Sequence, residues 1–253
     1  TNFQAAVTGG HVGEISYFQE AEGRNLVKFI TGGTFGMDVT KFCADYHNCT
    51  SNENGVYEVK PDANYIAEYI IDDAKGENYT SAEKKVVGTL TYKRTLPNAE
   101  KWNPLYVPFA IPMSRLIENY DVAYFNDVRG NDANNDNVVD DGTLKMELVM
   151  IDNPDVTLNA NYPFVFRAKT EEAKNLELVL DNATLYENTE NSVVFTSLDI
   201  KCEVKGSYRK CKTGDNQYIV NTNGLWSPLN QDYDLKPYRL ILTLSSNNNL
   251  KPF

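Results

Sequence analysis

The alternation of apolar and polar residues predicts a chain built from short β-strands. In residues 85–96 the odd positions from Val87 to Lys93 alternate with the even positions from Gly88 to Arg94, a period of two that indicates a strand. Similar strand candidates are residues 65–71, 122–128, 144–151, 164–169, 176–180, 193–204, 216–220 and 238–244. Residues 113–120 instead predict a short helix. About ten short strands separated by loops predict an all-β fold, a β-sandwich or an open barrel.

The most apolar run is W-N-P-L-Y-V-P-F-A-I-P at residues 102–112. Its three prolines, four residues apart, exclude a helix, because each proline lacks the amide donor and clashes with the preceding turn. Such a segment donates few ladder hydrogen bonds, so it belongs at a sheet edge, a bulge or a crossover. We expect it to be extended and to form part of the core, with Trp102 inside that core.

An internal repeat occupies the N-terminal part of the chain. T-G-G-H-V-G at residues 8–13 recurs as T-G-G-T-F-G at residues 31–36, a shift of 23 residues. That period suits one rung of a parallel β-solenoid, and paired glycines permit the positive φ of its tight corner. The alternative is a pair of ordinary hairpins with a coincidental motif.

A polar segment with a proline, K-P-D-A-N at residues 60–64, predicts a domain boundary. On this division residues 1–60 are truncated β-solenoid rungs with their cap. Residues 61–253 are a C-terminal β-sandwich or open-barrel domain.

Composition narrows the class of partner. The chain carries 24 basic and 35 acidic residues, a net charge of -11 that repels phosphate backbones, so we expect no nucleic-acid binding. No apolar run approaches the roughly eighteen residues of a membrane span, so we expect none. The chain opens on Thr1 without a signal peptide, as a mature product or an excised fragment would.

The four cysteines lack CxxC spacing and only two histidines are present, which argues against zinc and favours disulfides in an exported protein. Cys43 and Cys49 lie in a corner where the chain must reverse, and we expect them to be bonded. We also expect a bond between Cys202 and Cys211, since a two-residue hairpin at residues 205–208 would place them opposite each other. One continuous strand through Gly206 would instead hold them about 30 Å apart.

Two resemblances to known families are visible. The stretch I-T-G-G-T-F-G-M-D-V-T-K-F-C-A-D-Y at residues 30–46, continuing to G-V-Y-E-V at residues 55–59, resembles a closing repeat of secreted bacterial surface proteins. One departure is Tyr46, where that repeat often has glycine. A terminal repeat is usually atypical and serves as a cap, so the resemblance implies a last solenoid rung.

The second resemblance is to the C-terminal β-domain of Bacteroidetes surface proteins, which often follows solenoid or leucine-rich repeats. It rests on six motifs in order: Y-K-R-T-L-P-N at 92–98, W-N-P-L-Y-V-P-F at 102–109, N-D-V at 126–128, N-Y-P-F-V-F-R-A-K at 161–169, N-A-T-L-Y at 182–186 and L-K-P-Y-R at 235–239. This resemblance implies an extracellular or outer cell-surface location and an adhesive role. It carries over no catalytic residues.

The acidic segment of residues 132–142 offers oxygen ligands for a weak calcium site at Asp132, Asn134, Asp136 and Asp140. Two other positions do not match a calcium loop. Asn137 occupies the position of the glycine at the sharp turn, and Thr143 occupies the position of the acidic residue that completes the coordination. The alternative is a loop built from Asx turns that needs no metal.

Catalytic motifs do not stand out. No G-x-S-x-G elbow occurs, and we expect His11 and His47 to be surface or corner residues rather than bases. Trp226, in N-G-L-W-S-P, is the candidate for stacking on a sugar ring. We therefore expect a non-enzymatic cell-surface or secreted protein, an adhesin or surface-presentation module whose partner is a glycan or a host or microbial surface protein.

Two alternatives remain open at this point. The first is a fragment of a carbohydrate-active β-solenoid enzyme, which a cleft lined by paired carboxylates or by a lysine and arginine cluster would favour. The second is a carbohydrate-binding module, which a shallow aromatic platform would favour.

Overall fold

The structure is a computed structural model that describes residues 8–12, 28–140, 144–212, 214, 216–222, 226–228 and 234–246. The chain divides into two compact units, Thr1–Tyr65 and Ile66–Phe253. This division lies a few residues beyond the predicted boundary at Lys60. No helix within the described ranges has both the length and the apolar character needed to cross a membrane.

The first unit contains a mixed four-stranded sheet with the order β1-β2-β4-β3. Its strands are β1 His11–Val12, β2 Gly33–Phe35, β3 His47–Ser51 and β4 Tyr57–Pro61, and a 3-10 helix spans Thr40–Phe42. The strands β1 and β2 are parallel, whereas β4 pairs antiparallel with both β2 and β3. The described residues thus show one parallel pair in a mixed sheet, and they do not show a stacked solenoid.

The parallel pair has the register of the sequence repeat. His11 lies opposite Thr34 and Val12 lies opposite Phe35, so equivalent positions of the two copies are neighbours. Gly10 and Gly33 occupy the same place in each copy and have φ values of +98° and +112°, the left-handed region that favours glycine. The repeated T-G-G therefore marks a repeated corner, as the sequence predicts.

The second unit and the strand that leads into it are also built from strands. These are β5 Tyr65–Asp72, β6 Lys85–Thr95, β7 Asn103–Leu105, β8 Ile111–Pro112, β9 Tyr120–Gly130, β10 Leu144–Met150, β11 Thr157–Leu158, β12 Phe164–Ala168, β13 Asn175–Leu185, β14 Ser192–Ser197, β15 Ile200–Ser207, β16 Cys211–Lys212, β17 Gln217–Val220, β18 Trp226–Pro228, β19 Asp234–Leu235 and β20 Arg239–Ser246. Two 3-10 helices span Met113–Arg115 and Glu172–Lys174. The predicted helix over residues 113–120 is thus a single short turn, since the chain enters β9 at Tyr120.

The strands of the second unit form several sheets, and none of those described closes into a barrel. Their orders are β10-β9-β12-β7, β13-β6-β5 and β14-β15-β20-β17-β18, with two-stranded sheets β11-β8 and β16-β19. One continuous apolar core lies among them, with Leu90, Tyr106, Phe166 and Val204 fully buried. The prediction of an all-β fold is confirmed.

The proline-rich run lies where its missing amide donors predict. β7, which contains Pro104, is the edge strand of its sheet and pairs with β12 alone. Between β7 and β8 the side chains of Tyr106 and Phe109 are almost completely buried, and Trp102 packs against the same core. The run is therefore extended and forms part of the core, as expected.

The region around Cys202 differs from the prediction in two ways. Residues 193–204 are not one strand, because a two-residue turn at Leu198 and Asp199 separates β14 from β15. The hairpin expected at residues 205–208 is also wrong, since β15 continues through Gly206 and pairs with β20. A short apolar run gives no signal for the turn at Leu198, which adopts the uncommon φ of +53°.

Candidate functional site

The acidic loop brings Asp132, Asn134, Asp136 and Asp140 together, but their oxygens face backbone amides. Asp132 accepts N–H groups from Asp136 at 3.1 Å and from Asn137 at 3.0 Å, one on each carboxylate oxygen. The Asp140 carboxylate accepts the N–H of Ala133 at 2.5 Å. These contacts are the Asx-turn arrangement that the sequence left open as the alternative.

A calcium ion needs oxygens that converge on one point, and backbone N–H groups at those oxygens oppose a cation. Within the described ranges no group of three or more acidic, histidine or cysteine side chains is arranged to hold a metal. The weak calcium site at this loop therefore stays a prediction, and the loop itself is held by Asx turns.

The cysteines are free thiols in the structure. Cys43 and Cys49 lie side by side within hydrogen-bonding reach, and burial, together with this neighbour, raises the pKa of Cys43 to about 11. Their bond stays a prediction. The Cys202–Cys211 disulfide lacks its geometric basis, because Cys202 lies opposite Phe195 and Leu244 while Cys211 lies in β16 opposite Leu235.

The two histidines make local side-chain contacts, and the candidate tryptophan lies in a strand. His11 Nδ1 lies 3.0 Å from Thr34 Oγ1, and His47 Nδ1 lies 2.9 Å from the carbonyl oxygen of Asp45. Trp226 belongs to β18, where its backbone pairs with Val220. Its side chain lies outside the described part of the structure, so its role in sugar stacking stays a prediction.

An open groove of about 520 Å³, called here the aromatic groove, lies beside strands β9, β10 and β12. Its floor includes Tyr124, Tyr162 and Phe164, and the Tyr162 and Phe164 rings are 4.9 Å apart between centroids. Large apolar side chains stand exposed around it, among them Val149 at 36% and Met150 at 45%. Exposed polar side chains also line it, namely Asp152, Asn153 and Asn159.

A β-bulge helps to shape this groove. The register between β9 and β10 shifts between Glu147 and Leu148, so that Asn126 has no opposite partner. After the shift Val149 lies opposite Tyr124, which places an apolar side chain beside the groove at the edge strand. Bulges commonly occur at sheet edges and next to binding sites, where they redirect side chains and strengthen the local twist.

A second cavity of about 500 Å³, called here the arginine pocket, lies among β6, β7, β17 and the segment from β19 to β20. Its charged lining consists of Asp73, Arg94, Lys236 and Arg239. Arg239 donates two hydrogen bonds to the Asp73 carboxylate, one of 2.5 Å from Nη1 and one of 2.8 Å from Nη2. This bidentate pair is one of the stronger ion-pair geometries.

The surroundings of this pocket shift the pKa values of Asp73 and Arg94. Burial opposes the ionisation of Asp73, but the hydrogen bond from Arg239 and the charges of Arg94, Arg239 and Lys236 hold its pKa below the ordinary value. Burial lowers the pKa of the Arg94 guanidinium, and the charge of Arg239 lowers it further. Asp73 is therefore an ionised carboxylate, held in place by its partner.

Sequence reasoning did not single out these arginines, although one signal was present. In the alternation of β6, Arg94 falls on the same face as Leu90 and Tyr92, both of which are fully buried. A charged side chain at an inward position of a strand is costly to bury and therefore points to a special environment. No comparable local signal marks Arg239 or Asp73.

Comparisons of this chain with protein families, with curated proteins and with solved structures find no match. Its function must therefore be inferred from the aromatic groove and the arginine pocket themselves.

Proposed function

We propose that this chain is a non-enzymatic cell-surface or secreted binding protein, an adhesin or surface-presentation module, that holds a glycan in the aromatic groove. The proposal rests on the composition of the groove. Tyrosine rings, exposed apolar side chains and amide side chains line one open depression. Its volume falls within the range of about 300–1,000 Å³ that is usual for small-ligand sites.

Carbohydrates present apolar C–H faces and a rim of hydroxyl groups. The rings of Tyr124 and Tyr162 offer flat apolar surface, and a tyrosine keeps its polar hydroxyl at the edge of that surface. Asn153 and Asn159 are exposed beside the rings and can both donate and accept hydrogen bonds. This combination suits a polar ring better than a purely apolar partner.

The resemblance of the sequence motifs to bacterial surface proteins supports the same proposal. It implies an extracellular or outer cell-surface location, with solenoid repeats and a C-terminal β-sandwich as the architecture. On this proposal the 23-residue repeat continues a longer stack, and the C-terminal domain ends it. The partner is a glycan presented by a host or microbial surface.

A second candidate is a carbohydrate-active enzyme, which the cluster of Arg94, Lys236 and Arg239 favours. Against it, Asp73 is the one carboxylate among the described residues that line the pocket, and both of its oxygens accept hydrogen bonds from Arg239. A general acid must carry a proton near neutral pH, so the depressed pKa of Asp73 makes it unsuited to that role.

The test is a glycan array followed by calorimetric titration of the best neutral glycan. Tyr162→Ala should reduce binding up to about tenfold, because an aromatic ring contact is worth about 0.5–1.5 kcal/mol and about 1.4 kcal/mol corresponds to a tenfold change in affinity. Tyr46→Ala is the matched control, since Tyr46 is an exposed tyrosine of the first unit and should leave binding unchanged.

Two results would overturn the proposal. One is retention of full glycan affinity by Tyr162→Ala in a folded protein. The other is release of reducing ends or unsaturated sugar from a polysaccharide by the purified chain, abolished by a single carboxylate substitution, which would establish the enzyme.

A further inference from the structure

The arginine pocket concentrates positive charge in an acidic protein. The whole chain has a net charge of -11, yet the charged side chains among the described residues lining this pocket are Arg94, Lys236 and Arg239 against one carboxylate, Asp73. A concave site of one sign, enclosed by low-dielectric walls, focuses the field and raises the local concentration of the opposite charge. The local charge therefore favours an anion where the global charge disfavours one.

Arg94 is the most deeply buried of these cations. Its side chain lies in the core region of β6 with only 4% of the residue exposed, and Nη1 donates to the carbonyl oxygen of Pro104 at 2.5 Å. The guanidinium carbon lies 5.2 Å from the centre of the Phe166 ring, a favourable cation–π contact. Its Nε donor lies beside the Tyr92 hydroxyl, and within the described ranges neither atom makes a hydrogen bond to any other group.

The charge of Asp73 acts on Arg94, but the hydrogen-bonded ion pair of Asp73 is with Arg239. Both oxygens of Asp73 are hydrogen-bonded to Arg239, and within the described ranges no carboxylate forms an ion pair with Arg94. Removing a cation from water without a paired anion costs several kcal/mol, so buried arginines are normally paired. Among the described residues, the pocket thus holds a buried cation whose neighbouring carboxylate is already ion-paired with a second arginine.

The remaining lining is suited to a small polar molecule rather than to a bare ion. Thr222 and Asn103 contribute hydroxyl and amide groups, while Leu96, Ile219 and Leu235 contribute apolar surface. A cavity of about 500 Å³ is far larger than a single oxyanion requires, and it is of the size that holds a small organic ligand.

We propose that the arginine pocket binds a small hydroxylated molecule through its oxyanion, with Arg94 and Lys236 facing the charge and the polar lining facing the hydroxyl groups. A planar guanidinium matches both carboxylate and phosphate geometry, so an acidic sugar and a sugar phosphate share the required chemistry. This site is separate from the aromatic groove and does not depend on the function proposed for that groove.

The experiment is calorimetric titration of the full chain at low ionic strength with four probes. These are glucuronate, glucose 6-phosphate, glucose and inorganic phosphate. One of the two charged sugars should bind saturably and more tightly than both glucose and inorganic phosphate, and which one binds identifies the source of the oxyanion. Absence of saturable binding by both charged sugars would overturn the proposal, and so would an equal affinity for inorganic phosphate.

Variants locate the binding. Lys236→Gln changes an exposed side chain and should weaken the charged sugar about threefold, the scale of one solvent-exposed charge contact. Arg94→Lys keeps the charge but loses the planar fork, so it should weaken binding about tenfold. Lys201→Gln, an exposed site on β15 outside the pocket, removes the same charge and should leave affinity unchanged.

The controls keep the proposal falsifiable even if Arg94→Lys fails to fold. Lys236 is exposed, so its substitution should preserve the structure and report on the pocket by itself. If Lys236→Gln and Lys201→Gln weaken binding equally, the effect is general electrostatics and the pocket assignment is wrong.

Discussion

Gly206 lies against the ring of Tyr106, so closely that a Cβ atom at position 206 would be 2.1 Å from Cε2 of that ring. The ring is held from its other end, since its hydroxyl donates to the carbonyl oxygen of Thr189 and accepts the N–H of Asn191, both at 2.7 Å. A glycine in the middle of β15 is thus explained by the close approach of an aromatic ring and not by a turn.

We expect Gly206→Ala to destabilise the protein by about 3 kcal/mol, because the ring cannot withdraw without breaking its two hydrogen bonds. Urea unfolding measures the difference. Gly214→Ala is the control, since its added Cβ would meet its nearest neighbour, Gln217 Oε1, at 3.7 Å, an ordinary contact. A change at Gly206 no larger than at Gly214 would show that the ring can move.

Removing the carboxylate of Asp73 should destabilise the protein most strongly at neutral pH. Asp73→Asn leaves Arg239, whose side chain is 17% exposed, without its partner, at a cost of about 3 kcal/mol. The folded pKa of Asp73 is depressed, so the wild-type ion pair stabilises the protein above the ordinary pKa of 3.8. That stabilisation is lost as the pH falls through the folded pKa.

The gap in unfolding free energy between wild type and Asp73→Asn should accordingly narrow as the pH is lowered below 3.8. Denaturant titrations at a series of pH values measure this gap. Asp181→Asn, at an exposed position of β13, is the control and should show a small difference throughout. A gap that stayed constant across the series would contradict the ion-pair explanation.

The number of free cysteine thiols can be measured by mass spectrometry after alkylation. In protein purified under oxidising conditions we expect Cys43 and Cys49 to be bonded, which stabilises the fold by about 2 kcal/mol through loop closure. Alkylation of the denatured chain without reductant should then label two thiols, Cys202 and Cys211. Four labels would show that no bond forms, and no labels would restore the bond between Cys202 and Cys211.

Native alkylation should leave Cys202 unlabelled for much longer than denatured alkylation does. Burial raises the pKa of its thiol to about 11, and the reactive species is the thiolate. Rapid labelling of Cys202 in the folded protein, followed by peptide mapping, would indicate that β15 opens readily.

Millimolar calcium should leave the thermal midpoint unchanged, because the oxygens of the acidic loop accept backbone N–H groups. A ligand that binds the folded state alone must raise the midpoint by mass action. Melting with added calcium and with chelator is the measurement. A reproducible upward shift that disappears in Asp132→Asn would instead establish the weak calcium site.

Several features followed from the residues alone because they depend on neighbours in sequence. Alternation over residues 85–96 predicts β6, which spans Lys85–Thr95. The prolines of residues 102–112 predict an edge position. A proline has no N–H to donate to a neighbouring strand, and this holds whatever the rest of the fold is. The repeated T-G-G predicts a repeated corner, because the positive φ of Gly10 and Gly33 is a local backbone property.

Other features depend on groups that are distant in sequence. Gly206 predicts a turn by local rules, and only the position of the Tyr106 ring shows that it serves packing inside a strand. The oxygens of the acidic loop could face a cation or backbone amides, and only the folded loop decides between them.

The arginine pocket shows the same division most clearly. The sequence by itself determined that the chain is all-β and that Arg94 alternates in phase with Leu90 and Tyr92 along β6. Only the tertiary structure brought together Asp73, which directly follows β5, and Arg239, which begins β20, beside it. Pairing between distant strands is set by burial and register over the whole core, and no window of sequence contains both partners.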